Sequence, residues 1–259
     1  MSVYDKILVE MHDRVALLRL NAPATRNSLT PEMSLALREH LSDLQNTVRA
    51  VVLTGSNKAF CSGAALNESE ISTTGTDAGN RLESHYNPLV LTIRSLNIPF
   101  ITAVCGAAAG IGASLAFMGD LIIAGQSAYF LQAFGKIGLI PDGGSAWLLA
   151  RAVGRVRAME LMLLAEKLPA PQAHEWGLVT RLVDDEAVET QALALAHRLA
   201  QGPRLALAHT RQLAWRATEQ GFAEELVVER HLQRECGQHP DFAEGIKAFL
   251  EKRPARFAP

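Results

Sequence analysis

An α/β fold followed by a helical C-terminal part is predicted by three features of this 259-residue sequence. Short apolar runs without polar alternation stand at residues 50–54, 99–104 and 121–124. Segments with three- and four-residue apolar spacing separate them, and beyond Gly154 helical patterning dominates. Uninterrupted runs of that length suit strands covered on both faces, and their alternation with helices marks a layered α/β architecture.

The elements follow in order. Residues 7–10 and 15–20 flank His12-Asp13 and read as a hairpin. Thr30-Pro31-Glu32 supplies an N-cap, then proline at the first helical position, which predicts a helix to about Asn46. The run at 50–54 is a strand stopped by Gly55. Residues 79–96 place Leu82, Leu89, Val90, Ile93 and Leu96 at mostly helical spacing, and 113–118 is a short, small-residue helix. Later helices are predicted over 155–165, 170–176, 186–199, 203–218 and 244–251. The sequence shows neither an internal repeat nor a low-complexity tract, and no linker divides it before the C-terminal helices.

Charge and composition exclude several classes. With 25 Lys and Arg against 27 Asp and Glu the net charge is −2, and no dense basic tract gives the electrostatic footprint of a nucleic-acid binder. Cys61, Cys105 and Cys236 form no CxxC pair, which argues against a zinc site or a disulfide framework and fits a reducing cytoplasm. The N-terminal residues reach charge early and lack the apolar stretch of a secretory signal. Residues 98–124 are interrupted by Pro99, Asp120 and several glycines, too broken to span a bilayer, so no membrane partner is expected.

Two glycine-containing turns carry the chemistry. Asn57-Lys-Ala-Phe-Cys-Ser-Gly-Ala-Ala-Leu66 follows the strand ending at Thr54, and Cys105-Gly-Ala-Ala-Ala-Gly-Ile-Gly-Ala113 follows the one ending at Val104. Leu115 breaks a GxGxxG pattern and Ile137 breaks a P-loop, so neither is a phosphate cradle. Each turn can instead leave a main-chain N–H unpaired, and two such donors aimed at one point make an oxyanion hole. The other reading is that the glycines only permit tight strand-to-helix turns. Spacing alone does not separate the two.

FCSGAAL at 60–66, AVCGAAAGIGASLA at 103–116, GDLIIA at 119–124 and KIGLIPDGGSAWLLARAVG at 136–154 resemble the crotonase, or enoyl-CoA hydratase/isomerase, superfamily. PAPQAHEWGLV at 169–179 and EGIKAFLEKRPARF at 244–257 extend the resemblance over nearly the whole chain. It implies a crotonase-like spiral of ββα units over residues 1–200 and a helical region over 201–259 used in oligomerisation, as a homotrimer or a dimer of trimers. It also implies an acyl-CoA substrate, with coenzyme A part of the substrate and no separate cofactor or metal. The thioester oxygen would sit between the N–H groups of Ala64 and Ile111. Because these donors are main chain, Ile111 in place of the usual glycine and Ala65 in place of the usual aspartate are tolerable departures.

The acid/base inventory favours an isomerase. Where family hydratases carry two glutamates, this chain has Ser114 and Phe134. Each missing group forfeits typically ~10²–10⁴ in rate, so efficient hydration is not expected. Asp142 matches the single acidic residue of the family's isomerases, which moves a proton between C2 and C4. Its other reading is an N-cap for a helix beginning near Gly143. Residues 129–147 are similar to the isomerase branch of bacterial phenylacetate degradation, which acts on ring-epoxidised phenylacetyl-CoA and shifts double bonds in enoyl-CoA. Phe134 then reads as an apolar wall and Ser114 as a small residue leaving room for the acyl group. Partial burial by Phe134 and Leu139 or Ile140 would raise the basicity of Asp142.

The resemblance further places Arg26, Lys58 and Phe60 near the nucleotide of coenzyme A. Ala65, Leu66 and Gly110 then line the acyl group, and Lys252 approaches from an adjoining subunit. Asp120 is expected to be a structural hydrogen-bonding group. His85, His174 and His209 are isolated, Cys61 and Cys105 pack as small apolar residues, and Glu68 and Glu83 suit a solvated face. The competing functions are hydration, thioester hydrolysis, and binding of acyl-CoA without catalysis.

Overall fold

The hairpin that opens the fold consists of β1 (Ile7–His12) and β2 (Val15–Leu20), turned through Asp13 at φ 53°. These and later elements come from a computed structural model that describes residues 6–66 and 77–257. Helix α1 (Pro31–Leu44) starts as expected, with Thr30 Oγ1 accepting from Met33 N at 3.2 Å. Then come β3 (Ala50–Thr54), β4 (Ala59–Cys61), α2 (Ala78–Arg81) and α3 (Asn87–Ser95). A π-helical turn at Leu82–Tyr86 interrupts the single helix predicted over 79–96. β5 (Phe100–Val104), β6 (Ala107–Ala109), α4 (Ile111–Phe117), β7 (Leu121–Gly125) and β8 (Tyr129–Leu131) follow. After them come α5 (Ser145–Ala152), α6 (Arg155–Leu164), β9 (Lys167–Pro169), α7 (Ala170–Glu175) and β10 (Arg181–Val183). The chain ends in α8 (Val188–Ala200), α9 (Arg204–Arg216), α10 (Phe222–Gln238) and α11 (Pro240–Leu250).

Two sheets organise these elements. The larger has the order β1-β2-β3-β5-β7-β10 and is parallel except for the hairpin; the smaller has the order β4-β6-β8-β9, with only β9 antiparallel. The pairs β3/β4, β5/β6 and β7/β8 each send their first strand to the large sheet and their second to the small one. A helix or helical turn follows each pair, which makes a ββα spiral. Both faces of the large sheet are buried: Val51, Leu53 and Phe100 enter one core cluster, and Val52, Ile101 and Ile123 enter another beneath α8. Double burial explains why these strands read as unbroken apolar runs.

One side chain makes four of the hydrogen bonds that fasten helix α9 to this core. Arg211 Nε donates to Asp120 Oδ2 at 2.8 Å, and its Nη groups donate to the carbonyls of Ile93, Arg94 and Leu96 at 2.6, 2.6 and 2.9 Å. The guanidinium thus closes the C-terminal end of α3 with a favourable charge. Asp120 also accepts from Phe100 N at 2.8 Å, the structural role expected of it. Among the described residues no helix is long and apolar enough to cross a membrane.

Candidate active site

The first loop is shaped by a buried asparagine. Asn27, at φ 57°, accepts from Ala22 N at 2.8 Å and donates to Ala59 O at 2.9 Å, pinning the turn before α1 to β4. Ser62 N donates to Arg26 O at 3.1 Å, so exposed Arg26 rides on the same turn. Leu29 N donates to Gly63 O at 2.8 Å, while Ala65 N donates to Leu29 O at 2.9 Å. That strand-like alternation turns the Ala64 N–H away from Leu29, and it has no partner among the described residues.

The second loop leaves an equivalent donor. Gly110 adopts φ 53°, ψ −130°, a conformation that favours glycine. Its N–H donates to Leu131 O at 2.9 Å and its carbonyl accepts from Ala113 N and Ser114 N. Ile111 N, at the start of α4, donates to no group among the described residues. The loops touch: a Cβ placed on Gly110 would lie 3.7 Å from Gly63 Cα. Two amides without a partner among the described residues therefore occupy adjoining loops.

Asp142 stands beside them. Its neighbour Gly143, at φ 58°, packs so closely on α4 that a Cβ there would fall 2.4 Å from Ile111 Cδ1 and 2.7 Å from Ser114 Cβ. Asp142 O accepts from Ser114 Oγ at 2.9 Å and from Ser145 N and Oγ at 3.1 Å each. Its side chain caps nothing: α5 starts after Gly144, at φ 78°, without a side-chain cap. Instead, Oδ1 is buried without a hydrogen-bond partner among the described residues. Burial pushes this carboxyl up from 3.8 to about 6.

Several expectations need correction. Ser114 does not leave room for a ligand: it is fully buried, its hydroxyl is engaged, and Gly143 packs against it. The ring of Phe60 is fully buried in the core. Ile140 is 80% and Leu139 43% exposed, so neither buries the Asp142 carboxyl. Phe134 is buried beside the second loop, 3.8 Å from the Cβ position of Gly110, where the apolar wall is expected. Lys58 and Lys252 are exposed, as is Leu66, and Glu83 lies on a solvated face. Glu68 lies outside the described residues.

Other neighbours are not singled out by the sequence. Arg81 Nη1 donates to Ala65 O at 3.0 Å, and buried Tyr86 donates to Leu29 O at 3.0 Å, so both brace the first loop. Burial raises the Tyr86 hydroxyl to about 12, with Asp142 a smaller contributor. Tyr86 fills the gap between Leu82 and Leu89 at helical spacing, a signal that the sequence does carry. Burial likewise pushes the Cys61 and Cys105 thiols up to about 11, unlike reactive thiolates. His174 Nδ1 lies 2.9 Å from Val179 O and His209 Nε2 3.0 Å from Glu235, which accounts for both rings locally.

Known proteins match throughout. The family described as enoyl-CoA hydratase/isomerase matches residues 10–259. A 1,2-epoxyphenylacetyl-CoA isomerase of Escherichia coli K12 is 44% identical over 255 residues, 97% of each chain. A Rhodobacter capsulatus protein named "Probable enoyl-CoA hydratase" is 41% identical over 98% of each chain. The crystal structure of an enoyl-CoA hydratase from Polaromonas sp. JS666 superposes with a TM-score of 0.90 at 32% identity, covering 97% of this chain and 99% of that one.

Proposed function

The chain belongs to the enoyl-CoA hydratase/isomerase family, and from that premise we propose that it is an acyl-CoA isomerase in which Asp142 moves the proton. The thioester oxygen accepts from Ala64 N–H and Ile111 N–H, which stabilise the enolate formed when C2 loses its proton. Loss of one such donor costs about 2.7–4 kcal/mol in comparable sites. Asp142 takes the C2 proton and returns it at C4, which converts a 3-enoyl-CoA to the 2-enoyl-CoA. The name of the Escherichia coli relative makes 1,2-epoxyphenylacetyl-CoA a second candidate substrate.

The observation that carries this reading is the buried Asp142 oxygen, without a partner among the described residues, on a turn packed against Ile111. A carboxyl near 6 is ionised at neutral pH yet more basic than an ordinary aspartate. Hydration needs a second proton-transfer group. The Ser114 hydroxyl is committed to a carbonyl and Phe134 carries no proton. The turn bearing Arg26 is tied to the first loop, which supports a phosphate contact there. Exposed Phe222, Phe249 and Leu250 on the C-terminal helices support trimer formation.

The test is a mass-resolved assay of the purified protein with 3-hexenoyl-CoA, crotonyl-CoA and 1,2-epoxyphenylacetyl-CoA. Isomerisation of the first or third with feeble hydration of crotonyl-CoA is expected. Hydration at ordinary family rates without isomerisation refutes the assignment.

A further inference from the structure

We infer that Ser114 is a positioning residue that ties the proton-transferring carboxylate to the loop holding the thioester oxygen; this rests on the isomerase reading above. The Asp142 side chain makes no hydrogen bond to the described residues, so nothing on the carboxylate itself fixes its place. Its location is set through the main chain, where three donors converge on Asp142 O. Two are hydroxyls, and each hydroxyl carries one proton. Ser145 Oγ is nearer Gln132 Oε1, at 2.9 Å, than Asp142 O, at 3.1 Å. Ser114 Oγ is nearer Asp142 O, at 2.9 Å, than its alternative acceptor Gly110 O, at 3.4 Å. Ser114 is therefore the hydroxyl committed to the Asp142 turn.

The same residue is joined to the other half of the site. Ser114 N donates at 3.2 Å to the carbonyl of Gly110, the residue immediately before Ile111. One side chain and its own amide thus bridge the base to the oxyanion loop across 28 residues of sequence. A single carboxylate that must reach both C2 and C4 needs this separation held closely, because small displacements of a reacting group cost rate steeply. Ser114 is fully buried and its hydroxyl is directed to Asp142 O, so it acts through the Asp142 main chain.

Ser114→Ala tests this, with Ser145→Ala and Asp142→Asn prepared in parallel. Three measurements are made: kcat and KM for 3-hexenoyl-CoA, the pH midpoint of kcat/KM, and the stoichiometry and affinity of butyryl-CoA, which cannot isomerise, by calorimetry. Ser114→Ala is expected to lower kcat by about 10- to 10²-fold. KM, the pH midpoint and the number of butyryl-CoA sites should stay at parent values, and Ser145→Ala should cost less. Unchanged kcat overturns the inference, as does a fall matched by lost butyryl-CoA sites, the mark of misfolding. A shifted pH midpoint also overturns it, because Ser114 would then act on the titrating group directly. If Asp142→Asn retains full activity, the isomerase assignment of Asp142 fails, whatever Ser114→Ala does.

Discussion

Replacing Asp142 with asparagine should separate stability from catalysis in a pH-dependent way. The folded carboxyl titrates near 6 against an ordinary value of 3.8, because burial disfavours its charged form. The stabilising contribution of the neutral carboxyl is fully present below 3.8 and is lost as pH rises through 6. At 1.36 kcal/mol per pH unit, the whole separation corresponds to about 3 kcal/mol, of which about 2.5 kcal/mol is given up by the parent at pH 8 relative to pH 4. The asparagine of the variant cannot ionise. Its buried amide adds an offset that does not vary with pH, so the change between the two pH values is the quantity to read. The stability difference between variant and parent should grow in favour of the variant by about 2.5 kcal/mol from pH 4 to pH 8. For a chain this size that is roughly 5–10 °C in Tm, readable by thermal melting monitored by circular dichroism. Isomerisation of 3-hexenoyl-CoA and exchange of C2 hydrogens with deuterated solvent should both fall by at least ~10². A pH-independent stability difference would refute the burial argument. Retained isomerisation and exchange would refute the catalytic role.

Other outcomes follow from the same geometry. In the parent, kcat/KM for isomerisation should rise with pH through about 6 and level off above it, since only the ionised Asp142 accepts a proton; a flat profile from pH 5 to 8 would count against the assignment. Arg211→Ala removes the donor to Asp120 and leaves the carbonyls of Ile93, Arg94 and Leu96 without the guanidinium, and should cost about 1–3 kcal/mol in urea unfolding. Gly143→Ala places a Cβ into Ile111 and Ser114 at φ 58° and should destabilise by about 1–3 kcal/mol while lowering kcat more than it changes KM. Light scattering after size exclusion should give a trimer or a multiple of it, and a monomer would leave the exposed Phe249 and Leu250 unexplained.

The large sheet is legible in the sequence because burial on both faces writes itself as unbroken apolar runs, as in Ala50–Thr54. The small sheet is not. Its strands are three residues long, and Ala107–Ala109 has none of the branched or aromatic residues that mark a strand. β4 and β6 fall inside the two glycine-containing turns, so the spiral enters only through family resemblance. Asp142 is found the same way. Its cap reading is set aside only by the structure, in which α5 starts at a left-handed Gly144 with no side-chain cap. The partner of Ser114 lies far away in sequence, and nothing in local spacing announces such a contact.

The small sheet has a consequence for how this chemistry can be altered. β4, β6 and β8 lie side by side in parallel, and each runs directly into one part of the site: the Ala64 loop, the Ile111 loop, and the segment leading to Phe134 and Asp142. On the isomerase reading proposed above, thioester recognition falls to the first two turns of the spiral and proton transfer to the third. A segment exchange confined to residues 132–145 should therefore change which reaction is run while the grip on the activated acyl group passes unaltered from parent to chimera.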